Sequence, residues 1–481
     1  MRNPKLAMAQ KLPQDPQDQE LDLIGSFLSE WIDPEDETDE WNNDFFQGTA
    51  GRRKKAAFVL MLIWLSTIGL HYVSWGYSLV LGISGLVLIH LIRSLLVKIE
   101  PTPEPLSDRH IESAPTVSLM VAAKNEETVI ARSVEMLCTL DYPIDKYEVW
   151  AIDDNSSDRT GTILDSLALQ YPQLRVVHRP ANAGGGKSGA LNQVLTQTKG
   201  EIIGVFDADA GVTPNLLRRV APMFTDPKMG AVQVRKAISN EEENFWTKGQ
   251  SAEMLLDARV QQQRIALNGV GELRGNGQFV RRAALRSCGG WNEETITDDL
   301  DLTVRLHLDN WKVGLLDNPA VTEEAVTSAI ALWHQRNRWG EGGYQRYLDY
   351  WRYIFRDRFG FVKRFDLVCF VLLQYILPAA NIPDLLMAAL RQEAPVLSPI
   401  AVLVLLYGST SMFRGIVAVK RSKQEDLDLS EIVLQTIRGM IYMLHWQVVM
   451  TSITVRMSIR PKKLKWVKTV HEGAVSENFE Y

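Results

Sequence analysis

Two apolar stretches near the start of the chain contain no Asp, Glu, Lys or Arg, and they cover residues 56–71 and 73–92. Together they have about the length that two membrane-crossing helices require. Basic residues flank the pair on both sides, beginning with the run at 52–55. We therefore predict a transmembrane hairpin over 52–100 with both ends on the cytoplasmic side, rather than a buried hairpin of a soluble domain.

The pattern changes after a Pro-rich linker at 101–115. Short β-branched apolar runs now alternate with stretches of helical periodicity, which is typical of a doubly wound, mostly parallel sheet. We predict an α/β, Rossmann-like domain over 116–340. Its predicted strands lie within 117–123, 147–154, 174–178, 202–210, 229–235 and 311–316, and its predicted helices within 128–140, 160–170, 187–198, 241–268 and 328–339.

A third pattern begins near residue 341. Aromatic residues mix with arginines over 344–361, which predicts an amphipathic helix in the bilayer interface, and we assign it to a segment at 341–364. The predicted helix at 432–455 contains Arg438, which would cost ~2.5–3.5 kcal/mol at the centre of a bilayer. We therefore predict that this helix is interfacial or re-entrant. A basic and then polar tail follows at 461–481. The predicted membrane and interfacial helices occupy 365–460, with a kinked span at 367–390, a cleaner span at 396–419 and the interfacial helix at 432–455.

The composition narrows the classes of protein to consider. The chain has 481 residues, a net charge of −6 and 46% hydrophobic residues, and without a basic excess we expect no binding to nucleic acid. The three cysteines are too scattered for a zinc site or a disulfide framework. Residues 1–51 are acidic and rich in Pro and Gln, which predicts a largely disordered tail, and the first forty positions hold no apolar signal-peptide core.

Acidic side chains follow three of the predicted strands. Glu126 follows the first strand, Asp153 and Asp154 end the second, and Asp207 and Asp209 end the fourth. Because right-handed crossovers place the carboxyl ends of parallel strands at one edge, we expect these groups to converge. Asp207 and Asp209 suit Mg²⁺ or Mn²⁺ with substrate phosphates as further ligands, although two acidic residues at a solvated strand end would look the same. Either Asp153 or Asp154 could accept a hydrogen bond from a base or a ribose.

A carboxylate far away in the sequence is the candidate general base. Asp299 follows a Gly-Gly-Trp loop and opens an acidic cluster, and a displacement reaction needs one carboxylate to take the proton of the attacking hydroxyl. The alternative is an acidic helix N-terminus that the helix dipole stabilises. Lys187 and Arg338 are candidate counter-charges for a leaving diphosphate, although Lys187 could also be an exposed lysine at a helix start.

These residues belong to an ordered series of motifs that resembles the family 2 glycosyltransferases of the GT-A fold, in the membrane-integrated branch that includes cellulose and hyaluronan synthases. The resemblance covers about 117–339. It departs from the family pattern at Ala122, where a proline is common, and at Asp298, where a glutamate is usual. The motifs are Val121-Ala-Ala-Lys-Asn-Glu126, Asp153-Asp154-Asn-Ser156, Gly186-Lys187-Ser-Gly-Ala-Leu-Asn192, Asp207-Ala-Asp209, Gln233-Val-Arg235, Thr297-Asp298-Asp299 and Gln335-Arg-Asn-Arg338-Trp339.

The resemblance implies an inverting transfer from a UDP-sugar. Asp153 and Asp154 would contact uridine. Asp207 and Asp209 would hold the metal and the diphosphate, with Asp209 as the direct ligand, and Asp299 would be the general base. The last motif of the series, Gln335-Arg-Asn-Arg338-Trp339, would close over the diphosphate and the acceptor. The donor-binding set that the resemblance implies is Glu126, Asp153, Asp154, Lys187, Asp207, Gln335, Arg338 and Trp339.

More narrowly, the whole chain is similar to members of this family that glucosylate diacylglycerol. That similarity implies UDP-glucose as donor, diacylglycerol as acceptor and Mg²⁺ as cofactor, with Mn²⁺ as an alternative. It also implies a multi-pass protein of the lipid bilayer with its catalytic domain on the cytoplasmic face. Two other functions stay open. One is a processive polysaccharide synthase, which needs a channel of more than the four or so spans predicted here. The other is a membrane-anchored nucleotide-sugar-binding protein without turnover.

Overall fold

A computed structural model describes residues 52–355 and 359–459, so the tails predicted at 1–51 and 461–481 lie outside the described residues. The helices of the described chain fall into three groups: a pair of long apolar helices before the sheet, a set around the sheet and a C-terminal set. They are α1 (Arg52–Tyr72), α2 (Gly76–Leu96), α3 (Ile130–Cys138), α4 (Thr160–Ala168), α5 (Gly186–Leu195), α6 (Leu216–Val220), α7 (Phe245–Ala266), α8 (Arg282–Ser287), α9 (Asp298–Leu308), α10 (Ala329–Ile354), α11 (Phe361–Val371), α12 (Leu377–Arg391), α13 (Ser398–Ser422), α14 (Leu429–Met443) and α15 (His445–Ile459).

The strands of the described chain form one seven-stranded sheet: β1 (Val117–Ala123), β2 (Tyr147–Asp153), β3 (Leu174–His178), β4 (Ile202–Phe206), β5 (Met229–Ile238), β6 (Gln278–Arg281) and β7 (Lys312–Glu323). Their order is β3-β2-β1-β4-β6-β5-β7, and of these strands only β6 runs antiparallel to its neighbours. The predicted α/β domain with a mostly parallel sheet is confirmed.

The core explains why the central strands are almost wholly apolar. One buried cluster joins the sheet to α3, α4 and α6, and a second joins its other face to α5, α8 and α9. Strand β4 is buried at all five positions. Strands covered on both faces read as continuous hydrophobic runs, which is the pattern the sequence has at 117–123 and 202–206.

Strand ends differ from the sequence prediction at β4 and at the paired strands β5 and β7. Strand β4 ends at Phe206, because its pairing with β6 stops at Val205 and its pairing with β1 stops at Phe206, so Asp207 and Asp209 lie in the loop after the strand. Strand β7 runs on to Glu323, beyond the predicted end at residue 316, because β5 is also longer and pairs with it as far as Ile238. Both differences come from partner strands that local periodicity cannot identify.

The predicted interfacial segment at 341–364 needs a correction. Residues 329–354 form the single helix α10, so the boundary predicted after residue 340 falls inside a helix. Residues 342–349 are all buried, and Asp349 accepts a 2.8 Å hydrogen bond from Arg52 Nε at the start of α1. The first half of the segment therefore lies in the interior. Exposed aromatic side chains occur farther along, at Trp351, Tyr353, Phe355, Phe361 and Phe365.

Four helices of the described chain are long and apolar enough to cross a membrane: α1, α2, the 31-residue run Phe361–Arg391 and α13. The third contains a π-helical turn at Leu372–Ile376 between α11 and α12, and Pro383 lies inside α12. This agrees with the kinked span predicted at 367–390, since π-turns and prolines are usual causes of kinks. Helices α14 and α15 have 15 residues each, which is shorter than a typical span.

Candidate active site

A single cavity of about 930 Å³ runs from the carboxyl edge of the sheet to the helices of the membrane-type region. Nine of the ten residues proposed for the site line it, and Asp153 does not. At its far end the walls come from α2, α13 and α14. The apolar residues of that end include Leu91, Val404, Leu405, Met440 and Leu444.

Asp153 is buried beside the cavity. One carboxylate oxygen accepts a 2.9 Å hydrogen bond from the Ser156 amide, and the other lies 2.9 Å from His178 Nδ1 on β3. Burial raises the pKa of Asp153, but the hydrogen bonds from Ser156 and His178 outweigh it and hold the pKa below its usual value. Its neighbour Asp154 reaches the cavity and pairs with Arg179. Within this motif, Asp154 lines the cavity, whereas the Asp153 carboxylate bonds to Ser156 and His178.

Lys187 connects the acidic groups of the site. It is the second residue of α5, two positions after Gly185, which has a φ of 79° and at which an added Cβ would lie 2.9 Å from the Cα of Gly189. The Lys187 ammonium donates to Asp207 Oδ1. Burial lowers its pKa, but the charges of Asp207 and Asp298 raise it further, and the pKa lies above its usual value. Lys187 therefore keeps its positive charge between the two groups of carboxylates.

Asp207 and Asp209 are each held by a hydrogen bond that involves a backbone amide. The Asp207 amide donates to Asn276 Oδ1 at 3.2 Å, beside β6, and Asp209 Oδ2 accepts from the Glu324 amide at 2.9 Å, just after β7. Both side chains line the cavity. Among the described residues, no group of three or more His, Cys, Asp or Glu could hold a metal ion. The pair therefore fits a hard cation only when the phosphates of a substrate supply the remaining ligands.

Asp299 lines the cavity at the start of α9. Burial and the charge of Asp298 raise the pKa of Asp299 to about 6. A carboxylate with such a pKa is ionised at neutral pH and is still basic enough to accept a proton. Its neighbour Asp301 is different: it is buried and engaged by Arg305 and Tyr350. All three acidic residues of the cluster, Asp298, Asp299 and Asp301, lie in the first turn of α9, and of these Asp298 and Asp299 line the cavity.

Helix α10 adds a stacked group of charged and aromatic side chains. Gln335, Arg338 and Trp339 all line the cavity. The Arg336 guanidinium lies 4.1 Å from the centre of the Trp339 ring, and Lys236 Nζ lies 4.9 Å from the same ring. Cation–π contacts of this kind fix the orientation of the ring. Burial lowers the pKa of Arg338, while the charge of Asp207 opposes that change.

Sequence reasoning missed two buried ionic clusters that also line the cavity. Glu253 on α7 accepts hydrogen bonds from Arg336, from Tyr442 at 3.0 Å and from Trp446 at 2.7 Å. These partners lie 83 to 193 positions away, so no local pattern could have identified the cluster. The second cluster forms around fully buried Glu272, whose partners are Arg264, Arg274 and Arg346.

The second cluster ties the sheet domain to α11. Arg264 Nη2 donates to Asp366 at 2.9 Å, and the Val270 amide donates to the same carboxylate oxygen at 2.9 Å. Burial raises the pKa of Glu272, but the charges of Arg346 and Arg274 outweigh it and hold the pKa far below its usual value. Glu272 is therefore ionised, and its charge is compensated by arginines from two elements and a loop.

The mostly parallel sheet with carboxylates after its strands agrees with the glycosyltransferase fold of the GT-A class that the sequence motifs predict. Residues 114–342 match the family model described as "Glycosyltransferase like family 2". The chain belongs to the family 2 glycosyltransferases. The predicted family, fold class and class of enzyme are thereby confirmed.

The chain is matched over nearly its whole length by relatives that share one name. It is 56% identical over 475 residues to the β-monoglucosyldiacylglycerol synthase of Synechocystis sp. (strain ATCC 27184 / PCC 6803 / Kazusa), covering 98% of this chain and 99% of the relative. It is 55% identical over 471 residues to the protein of the same name from Trichormus variabilis, covering 97% and 99%. A solved mannosyltransferase from Pyrobaculum calidifontis, in complex with GDP-mannose and Mn²⁺, is 20% identical with a TM-score of 0.49, covering 83% of this chain and 98% of that one.

Proposed function

We propose that this chain transfers glucose from UDP-glucose to the free hydroxyl of 1,2-diacylglycerol and forms β-monoglucosyldiacylglycerol for membrane glycolipid synthesis. Two cyanobacterial relatives of nearly equal length are named for that product. The structural observation that carries the proposal is the continuous cavity, which joins a carboxylate-rich end to an apolar end. A water-soluble donor and a membrane-bound acceptor need a site with two such ends, because the reaction requires both in contact.

The reaction we propose is a single displacement. The acceptor hydroxyl oxygen attacks C1 of glucose while Asp299 takes its proton. The bond between C1 and the phosphate oxygen breaks, and UDP leaves with the bonding electrons. Lys187 and Arg338 stabilise the negative charge on the leaving diphosphate. Attack opposite the leaving group turns the α-linked glucose of the donor into a β-glucoside.

Asp207 and Asp209 are the residues that would hold a divalent cation, Mg²⁺ or Mn²⁺, together with the donor diphosphate. The chemistry of these ligands supports this assignment, since both carboxylates line the cavity and Asp207 also binds Lys187. When bound, the cation neutralises charge on the diphosphate as it leaves. Asp154, Glu126 and Gln335 complete the donor end that we propose, with Asp153 holding the loop of Asp154 in place.

We also propose that the protein is a multi-pass membrane protein with its catalytic domain in the cytoplasm. The four apolar helices would cross the bilayer, and α14 and α15 would remain interfacial or re-entrant. The basic residues at 52–55 precede α1, which favours a cytoplasmic start for that helix. This orientation places the donor end of the cavity in the compartment where UDP-glucose is dissolved, and it places the apolar end within reach of lipid.

The experiment that tests the proposal is a transfer assay with the purified full-length protein in lipid nanodiscs. Labelled UDP-glucose, UDP-galactose and GDP-mannose are supplied separately, with and without diacylglycerol. We expect label from UDP-glucose in one discrete glycolipid, released by a β-glucosidase and dependent on diacylglycerol.

Each other outcome identifies a different function. A labelled polymer that forms without diacylglycerol would mean a processive synthase. Binding of UDP-glucose without any transfer would mean a binding protein. Transfer from UDP-galactose alone would make the proposed donor wrong.

A further inference from the structure

A second, smaller cavity of about 340 Å³ lies between α7 and α13. Among the described residues, its lining consists of three arginines and three apolar side chains, with no acidic group. These residues are Arg259, Phe413, Arg414, Val417, Ala418 and Arg421. Three guanidinium groups around a small cavity provide many hydrogen-bond donors in one place and repel one another.

The charge of Arg259 is poorly compensated. None of the described residues hydrogen-bonds its buried Nε, and its Nη1 has Gln262 Oε1 only at 3.4 Å. Burial and the charge of Arg414 lower the pKa of Arg259, whereas the charge of Asp317 raises it. Asp317 is already paired with Arg235, at a distance of 3.2 Å. A negatively charged ligand in this cavity would relieve both the desolvation and the repulsion.

The position of the cavity along the helices points to the surface of a membrane. Arg414 donates to the backbone carbonyl of Leu95, one residue before the end of α2. Arg421 lies in the last turn of α13, and both helices are among those long and apolar enough to cross a membrane. The cavity thus lies near the level at which α2 and α13 end, where phosphate groups of lipids are found.

We propose that this cavity binds the phosphate of one anionic membrane lipid. Arg259 and Arg414 would bind the phosphate oxygens, and Arg421 would lie at the rim. Phe413, Val417 and Ala418 would contact the glycerol and the first methylenes of an acyl chain. Free phosphate shares the anionic chemistry, but the apolar wall on α13 favours a lipid as its source.

Lipid at this position would also affect the reaction cavity, because the two cavities share α7. Ala258 and Val260, on either side of Arg259, line the reaction cavity. A lipid phosphate that binds α7 to α13 would therefore hold the wall of the apolar end in place. This consequence for turnover rests on the proposed function, whereas the binding itself does not.

The test measures lipid retention by native mass spectrometry of the full-length protein released from nanodiscs. The discs contain phosphatidylcholine with or without phosphatidylglycerol. The variants are the double substitution Arg259→Gln with Arg414→Gln, the charge-preserving pair Arg259→Lys with Arg414→Lys, and Arg93→Gln as a control. Arg93 is exposed near the end of α2 and lies outside the cavity lining.

We expect the wild-type protein and Arg93→Gln to retain one phosphatidylglycerol. The Gln pair should bind it at least about tenfold more weakly, because two charge-assisted contacts are lost, and the Lys pair should be intermediate. Equal retention by the Gln pair and the wild-type protein, or equal retention of both lipids by the wild-type protein, would overturn the proposal. So would full competition by inorganic phosphate, which would make the site one for a soluble anion. Since glucose transfer in neutral discs is measured separately, failure of the lipid site and failure of the proposed function are distinguishable.

Discussion

The two ends of the reaction cavity are built in different ways. At the donor end, carboxylates lie on short loops after parallel strands, and they contact Lys187 and Arg179 in pairs that a ligand could rearrange. At the acceptor end, apolar side chains come from helices far apart in the chain, and the charged groups there are closed into clusters such as the one around Glu272. In the proposed reaction, the donor end would carry the reacting groups, and the acceptor end would contain and orient a hydrophobic molecule.

Asp299 and residues of α10 line the same cavity. Arg338 is within the electrostatic influence of Asp207, while Arg336 on the same helix is fully buried and bound to Glu253 and Tyr442. Helix α10 thus connects Asp207, one of the two carboxylates that would hold the cation, to α7 and α14. The comparison predicts that changes at the donor end abolish reaction, whereas changes at the acceptor end alter mainly the use of the lipid.

The largest effect is expected from removal of divalent cations. A chelator should reduce glucose transfer to background, because Asp207 and Asp209 would then face the donor diphosphate without compensation. Addition of Mg²⁺ or Mn²⁺ should restore transfer. The matched substitution Asp209→Asn should raise the cation concentration needed for half-maximal rate. Full activity in the presence of the chelator would contradict the proposal that a divalent cation acts at the donor end.

The next largest effect is expected for Asp299→Asn. Turnover should fall by about 10²–10⁴-fold, since the acceptor hydroxyl would lose its base, while UDP binding measured by calorimetry should change little. Asp309→Asn is the control, because Asp309 is exposed at the other end of α9. Equal rates for Asp299→Asn and the wild-type protein would make the assignment of the base wrong.

A smaller and more selective effect is expected for Gly408→Leu at the acceptor end. An added Cβ at this position would lie 3.3 Å from Met440 Cε, and the larger side chain would extend into the cavity. Crowding of about 1–3 kcal/mol should lower kcat/KM for diacylglycerol by roughly tenfold. Slow hydrolysis of UDP-glucose in the absence of acceptor should stay unchanged. An equal loss in both reactions would mean that the two ends are not separable.

The donor end could be predicted from sequence because its chemistry follows local pattern. Asp154, Asp207 and Asp209 come directly after apolar runs, and the rule that parallel strands end at one edge was enough to bring them together. That rule could not separate Asp153 from Asp154, because Asp153 is buried through its contacts with His178 and Ser156, whereas Asp154 lines the cavity.

The acceptor end could not be predicted, because its residues come from distant parts of the chain. Glu253 and Trp446 are 193 positions apart, and no periodicity connects them. The aromatic residues after position 341 resembled an interfacial helix, but Tyr344 and Tyr347 are buried against Tyr375 on the neighbouring segment. Composition records that a segment is amphipathic, whereas its packing partners decide which part of it faces the interior.

The most direct test of the central claim, that Asp299 is the base between the two ends, is the pH dependence of glucose transfer. Because burial and Asp298 raise its pKa to about 6, Asp299 is ionised above that pH and protonated below it. We predict that the wild-type kcat rises with pH and levels off above about 6, falling about tenfold per pH unit on the acid side. Asp299→Asn should lack this acid limb. A wild-type rate that stays constant down to pH values well below 6, or the same limb in Asp299→Asn, would contradict the account.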